Sequence, residues 1–482
     1  MKRRSYKDAS QQEIIDRANQ LLNHSLRSKY SHEAVETLEK FSIAPKNKGK
    51  LGNLVEILHF GLTTNSDARP DFEASGIELK TTGMIQRSKE ILAKERLSLG
   101  TINFSHYKEL SNCDFEKSGI LEKCGKLLLM FYLYERDAEI LDLVFKLTEL
   151  WEIPDADKEI IRQDFEKIVS TIRAGKAEEL SEGATFYLGA STTGVGHGAE
   201  VSQPFSRTKA KPRRFSFRKP YLDHILAKQS QRVNKKYGRI YDDPRLPKTK
   251  RSLEDIVIDK FKQFYGMSFD QMIKAIGIRD VPDAKHSAAL LTKAVFKIQL
   301  NAEIEEFEKA GIITKTVRLE PSELPKQSIS FPAFEYTRLV NETWKDSEFK
   351  QNLESKFFIV FFQYDKPEKT PDRKLFLKRV MFWNMPDRDI DEAEKVWNKT
   401  VSIIKAGTIV KGYKFDCNGK RTRETYFPGQ RYNSVAHARP HGSDSDDTNP
   451  LPVPDIFTKN TEYTKYCFWI NYKYVRDKIY RA

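Results

Sequence analysis

Cysteine is scarce in this chain. Cys113, Cys124, Cys417 and Cys467 are spread over 482 positions with no CxxC pair. Such spacing supports neither a disulfide framework nor a cysteine zinc site. Long apolar runs are missing too. The longest, Leu127–Tyr134, is far short of the ~18 residues that a membrane span needs. The basic opening MKRRSYKDASQQEIID has no apolar segment behind it, so it does not read as a secretory signal. Gly194-Val-Gly196-His-Gly198 lacks the Lys-Ser/Thr of a phosphate loop. No Ser/His/Asp arrangement stands out. The expectation is a soluble, cytoplasmic protein without membrane contact.

Charge and length are what the sequence does offer. A chain of 482 residues predicts two or three domains. Lys and Arg number 82 against 68 Asp and Glu, a net charge of +14, which suits a polyanionic partner whose phosphates release counterions on contact. Between Arg207 and Arg251 there are 16 basic residues against three acids, Asp223, Asp242 and Asp243. Phe215, Phe217, Tyr221, Tyr237 and Tyr241 are interleaved with them. Basic and planar residues mixed in this way suit a nucleic-acid groove better than a solubilising face.

Periodicity predicts helix over 11–60, with Leu51, Leu54, Val55 and Leu58 on one stripe. It predicts strands over 71–105, a buried strand over 126–134, a second over 140–146 and a helix over 155–180 after Pro154. The second half then repeats the first. Phe165–Gly175 (FEKIVSTIRAG) matches Trp397–Gly407 (WNKTVSIIKAG), and Asp71–Thr81 matches Glu306–Thr316. Leu127–Tyr134 is set against Lys356–Gln363, and the aromatic-basic stretches from Phe215 and from Cys467 close the two halves. The expected fold is α/β, with two tandem pseudo-repeat domains, each a mixed sheet flanked by helices. The domains are placed at 1–228 and 251–482 with a basic linker, 229–250, between them.

The chemistry-bearing constellation is Pro70-Asp71 followed by Glu78-Leu79-Lys80. On a strand, Glu78 and Lys80 share one face and Leu79 points to the core. Two carboxylates brought together repel, and a hard divalent cation such as Mg²⁺ relieves that repulsion. With Lys80 beside the metal to orient a water, this is a layout for metal-assisted phosphodiester hydrolysis. Glu56 lies off the apolar stripe and can face the same cleft. Lys126 opens the central strand and can reach it. Taken singly, an exposed strand, a solvated helix glutamate and a strand-edge lysine are the plainer readings.

Lys50–Glu56, Asp71–Thr82 and the Lys94-Glu-Arg-Leu stretch resemble the MutH / Sau-three-A family of GATC-specific type II restriction endonucleases, within the PD-(D/E)xK superfamily. The resemblance runs from about residue 12 to the C-terminus. It implies a restriction-endonuclease-like, MutH-like fold. It implies Glu56, Asp71, Glu78 and Lys80 as the active set, with Lys126 added, and Mg²⁺ held by Asp71, Glu78 and the Leu79 backbone carbonyl. It also implies double-stranded DNA as substrate, two copies of the site per active complex, and a second domain that binds DNA as an effector. The free chain is expected to be a monomer, with a dimer on DNA open.

In the second copy Glu306, Ile313 and Lys315 stand for Asp71, Glu78 and Lys80. Isoleucine offers a cation no lone pair, so this copy is expected not to cut. His437-Ala-Arg439-Pro-His441 falls where the family's DNA-reading loop is expected, and Arg439, with His441, suits a guanine edge. A structural turn or a His437/His441 metal pair are the other readings. The first copy has Tyr187–Gly194 there, without Arg-Pro, which leaves Thr192, Thr193, Arg218 and Lys219 as DNA-contact candidates. The acidic run from Ser443 to Asp447 reads as a solvated loop. The expected activity is Mg²⁺-dependent double-strand cleavage at GATC. The alternatives are a hemimethylated-site nicking enzyme of mismatch repair and a non-catalytic DNA-binding protein.

Overall fold

A computed structural model describes residues 4–30, 49–63, 69–87, 90–104, 114–193, 200–229, 235–242, 251–278, 287–415, 419 and 421–481. Cys113, Cys417, the Gly194–Gly198 stretch and most of the expected linker lie outside them. The chain divides into two units. One is Met1–Tyr237 with Glu305–Gly311, and the other is Gly238–Ile304 with Ile312–Ala482.

In the first unit, β1 (Glu78–Arg87), β2 (Glu90–Ala93), β4 (Lys126–Leu133) and β5 (Phe145–Glu152) form a mixed sheet in the order β2-β1-β4-β5. Strand β4 runs parallel to β1 and antiparallel to β5. Its apolar run from Leu127 to Phe131 is buried throughout, as a strand covered on both faces requires. A second sheet joins β3 (Leu97–Ile102), β9 (Arg213–Phe217) and β6 (Leu188–Thr192), all antiparallel, with the hairpin β7 (Val201–Gln203) and β8 (Ser206–Ala210) beside them in sequence. The helices include α1 (Gln11–Asn19), α2 (Gly119–Cys124), α3 (Asp155–Arg173) and α4 (Lys219–Gln229). Helix α3 begins after Pro154 and buries Ile160, Ile161, Phe165, Ile168, Val169 and Ile172 along one stripe.

The second unit repeats this plan. Strands β10 (Ile313–Leu319), β12 (Lys356–Tyr364) and β13 (Leu375–Asn384) form one sheet, with β12 parallel to β10 and antiparallel to β13. Strands β11 (Ile329–Ala333), β19 (Tyr466–Ile470) and β16 (Ala436–Pro440) form the other, with β19 central as β9 is. Helices α5 (Glu348–Leu353) and α6 (Asp387–Lys405) stand where α2 and α3 do. Glycines with positive φ recur at matching sequence positions: Gly76 (63°) with Gly311 (59°), the latter at the end of the segment that belongs to the first unit, and Gly175 (71°) with Gly407 (62°). The last two close their helices in the left-handed region that glycine enters without steric cost.

Four local expectations change. Strand β5 starts at Phe145, not 140, because the preceding segment turns and bonds elsewhere: Arg27 N–H donates to the Leu141 carbonyl and Asp142 N–H to that of Glu139. Lys94-Glu95-Arg96 is a turn between β2 and β3, and only Leu97 is strand. Register moves the central-strand alignment by one residue. Glu78 lies opposite Leu127, and Ile313 opposite Phe357, so Lys356 corresponds to Lys126. Finally, the basic-aromatic stretch is largely interior. Phe215, Phe217 and Tyr221 are buried, with Phe215 stacked on Phe165 and Phe217 edge-on to Trp151.

Candidate active site

A tight turn brings the two carboxylates together. Phe72 and Ile77, both fully buried, exchange backbone hydrogen bonds around the 3₁₀ turn Glu73–Ser75. Gly76 closes the turn at positive φ. Asp71 is thereby folded back onto the start of β1. Its Oδ2 accepts from Leu79 N–H at 3.0 Å, and its own N–H donates to Glu78 Oε2 at 3.3 Å. Strand alternation buries Leu79 and leaves Glu78 and Lys80 on the opposite face, where Lys80 Nζ donates to Glu78 Oε1 at 2.5 Å.

Glu56 enters from another element. The helix Lys50–Leu54 passes into a π-turn, Val55–His59, an uncommon geometry enriched at functional sites. His59 fixes that turn. Its Nε2–H donates to the Arg17 carbonyl and its Nδ1 accepts from the Tyr30 hydroxyl, both at 2.6 Å, while Arg17 Nε donates to the His59 carbonyl at 2.8 Å. Leu51, Leu54, Val55 and Leu58 face the core. Glu56, half-buried, is pushed up to about 7, first by its burial and then by the Asp71 charge. Glu78 is also raised, first by its burial. Burial disfavours the charge on Lys80, but Glu78 beside it more than offsets this and holds its pKa above the usual lysine value. The cleft therefore gathers Glu56, Asp71, Glu78 and Lys80.

Lys126 is not part of that group. It sits on the Leu79 side of the pleat and pairs across strands with Glu152 at 2.8 Å. Lys123, one turn earlier on α2, takes its place, with Nζ 3.7 Å from Glu78 Oε1. Among the described residues no three His, Cys, Asp or Glu side chains converge as a ready metal cage. The two hard carboxylates Asp71 and Glu78, tied together through the backbone at the start of β1, are nevertheless donors of the kind that Mg²⁺ takes, one or two at a time with waters kept.

A family model described as DNA mismatch repair enzyme MutH matches residues 60–164, a span that holds Asp71, Glu78 and Lys80. The type II restriction enzyme Sau3AI of Staphylococcus aureus is 33% identical over 463 residues, covering 90% of this chain and 93% of that protein. The chain belongs to the MutH/Sau3AI family. The DNA mismatch repair protein MutH of Shewanella oneidensis is 24% identical over 221 residues, 45% of this chain but 94% of its own length. Its counterpart in Shewanella sp. strain ANA-3 is 25% identical over 169 residues, 35% of this chain and 71% of its own. The Shewanella oneidensis match spans about the length of one unit, whereas the Sau3AI match, at 463 residues, extends over both.

The residues considered for DNA contact separate by exposure. Arg218 is buried and donates to the carbonyls of Thr185 and Ala310, each at 3.0 Å, so it holds backbone and does not reach a base. Lys219 is tied to Asp223 at 2.9 Å. Thr192 is exposed at the end of β6, and Thr193 N–H donates to the Pro212 carbonyl at 2.8 Å. In the second unit His437-Ala-Arg439-Pro is strand β16, not a turn, and pairs with β19. His437 is buried against Asn471 at 2.5 Å, whereas Arg439 and His441 are exposed. The guanidinium of Arg439 lies over the Trp469 ring at 4.5 Å. The two histidines are thus divided between core and surface, which speaks against a shared metal. Ile313 occupies the register position of Glu78, and Lys315 Nζ is spent on the Ser330 carbonyl at 2.7 Å. Glu306 is buried in the short helix Glu305–Ala310. Among the described residues no helix is long and apolar enough to cross a membrane.

Sequence reasoning missed Lys123 and His59. In sequence each is an ordinary helix residue, and only the distance to Glu78 and the bonds around the π-turn distinguish them.

Proposed function

We propose that the chain is a type II restriction endonuclease that hydrolyses both strands of DNA at a short specific site, GATC, using Mg²⁺, with the first unit cutting and the second binding a further copy of the site without cutting. The observation that carries this is the convergence of Asp71, Glu78, Lys80 and Glu56 in one copy, against Ile313 and a diverted Lys315 in the other. Asp71, Glu78 and the Leu79 carbonyl would hold the metal, which when bound supplies Lewis acidity toward water and the phosphate oxygens. Lys80 and Lys123 balance the negative charge that gathers as the water oxygen bonds to phosphorus and the P–O bond to the leaving oxygen breaks. Glu56, held near neutrality, is poised to exchange a proton at that stage. The Sau3AI relative, by name a type II restriction enzyme and matched along both units, favours this reading over mismatch-repair nicking.

The test is to incubate supercoiled plasmid with the full chain and Mg²⁺ and to sequence the ends. Linear fragments that all end at GATC are expected. Nicked circles alone would favour the mismatch-repair reading, and a gel shift without cleavage would leave only DNA binding.

A further inference from the structure

The stretch between α6 and β16 contains a hairpin that the first unit lacks. In the first unit the corresponding chain, 174–187, passes from α3 to β6 through two 3₁₀ turns. In the second it runs 406–435 and includes β14 (Val410–Phe415) and β15 (Arg421–Thr425), paired with each other and, among the described residues, with no other strand. Register sets Tyr413 opposite Arg423 and Phe415 opposite Arg421, so these four side chains share one face. The Arg421 guanidinium lies 3.7 Å from the centre of the Tyr413 ring, and Phe457, from the adjoining turn, meets the same ring at 5.9 Å. Phe415 is 73% exposed. Ile456 and Phe457, more than half exposed, lie in the adjoining turn, and Lys414, exposed, points from the opposite face of the ribbon.

A large exposed aromatic among cations is unusual for a merely solvated hairpin. The Arg421–Tyr413 stack holds a planar cation at the surface in a fixed orientation, and guanidinium groups fixed in this way suit phosphate oxygens. Phe415 offers an apolar edge of the kind that packs into a groove or wedges between base steps. An isolated two-stranded ribbon is narrow enough to follow a duplex groove. We propose that the β14–β15 hairpin is a second-unit contact for the DNA duplex outside the recognition sequence, with Phe415 in the groove, Arg421 on a phosphate beside it, and Lys414 reaching from the outer face of the ribbon to the phosphates at the groove's edge. The proposal rests on the reading of the chain as a DNA enzyme, and the charge of the face selects DNA over a second copy of this net-positive chain.

The full chain is titrated with labelled duplexes, one carrying GATC and one without it, over a range of salt concentrations and without divalent cation, so that nothing is cut. Lys414→Ala/Arg421→Ala is expected to weaken both duplexes by about tenfold and to lower the slope of log K against log salt by about one unit per cation removed. Phe415→Ala is expected to weaken binding with the slope unchanged. Lys399→Ala/Lys405→Ala, two exposed cations of α6, removes the same charge elsewhere and should leave affinity within about twofold. Equal losses from the hairpin and α6 pairs would mean a net-charge effect and overturn the proposal. Unchanged DNA binding with an altered sedimentation coefficient would overturn it in favour of a second copy on this face. Wild-type chain that neither binds nor cuts DNA would instead refute the functional reading itself, which the plasmid assay detects separately.

Discussion

Glu78 accepts from Lys80 and lies 3.7 Å from Lys123, while Asp71 reaches it through the backbone. Glu78→Ala is therefore expected to abolish plasmid cleavage and to leave DNA binding within about tenfold, because phosphate contacts and the carboxylate site are separate contributions. Lys123→Ala should slow cleavage by at least about tenfold, in proportion to the charge balance it supplies. Lys126→Ala should stay within about twofold, since an exposed pair with Glu152 contributes little. Initial rates on one plasmid rank the three, and the reverse order of the two lysines would contradict the placement of Lys123. His59 sets a pH dependence of stability. Burial, with the Arg17 charge, lowers it to about 4, whereas the unfolded chain protonates near ~6.5. Below that value the unfolded state binds more protons, so stability falls as pH drops from about 6.5 to about 4 and is complete above this window. The shift corresponds to about 3 kcal/mol at most. Thermal melting at pH 7 and pH 4.5 should show a smaller loss for His59→Gln than for the parent chain.

At the scale of elements, the turn Glu73–Gly76 and the π-turn at Glu56 are what make a site of residues far apart in sequence. An added Cβ at Gly76 meets no atom within 4 Å, but φ is +63°. Gly76→Ala thus costs backbone strain alone, about 1 kcal/mol. It should lower the melting temperature and reduce cleavage by displacing Asp71. Gly76→Asn, which tolerates the left-handed region better, should recover part of both, and equal behaviour of the two variants would argue against strain at this turn. Much of this was legible in the sequence. The apolar run of β4 can only be a covered strand, and Glu78-Leu79-Lys80 reads directly through strand alternation. The π-turn was not legible, because its hydrogen-bond shift leaves no change in apolar spacing. Lys123 and Lys126 could not be ranked, because the faces of a strand and of the short helix before it are related only in three dimensions. The basic-aromatic signal misled where Phe215 and Phe217 alternate with Arg214 and Ser216. Alternation on a strand marks an inward face as readily as a binding face, and burial decided for the former. The exposed face of that kind lies on the β14–β15 hairpin, whose cations are too few to stand out in composition.

For the whole molecule, one plan occurs twice, and the positions of Asp71, Glu78 and Lys80 in one copy are held by Glu306, Ile313 and Lys315 in the other. The second copy loses a carboxylate at Ile313 and spends Lys315 on a carbonyl, yet keeps Arg439 exposed over Trp469. A unit that binds the site without cutting is useful if its occupancy favours the active state of the other, a coupling typically worth ~1–3 kcal/mol, or about 5–150-fold. The direct measurement is the initial cleavage rate at fixed salt on plasmids carrying one GATC or two, with and without short duplexes bearing the site, for the parent chain and Arg439→Ala. The two-site plasmid should be cut faster, the added duplex should rescue the one-site plasmid, and Arg439→Ala should remove both effects while basal cleavage persists. Equal rates on the two plasmids with no response to added duplex would contradict the division of labour between a cutting and a binding copy.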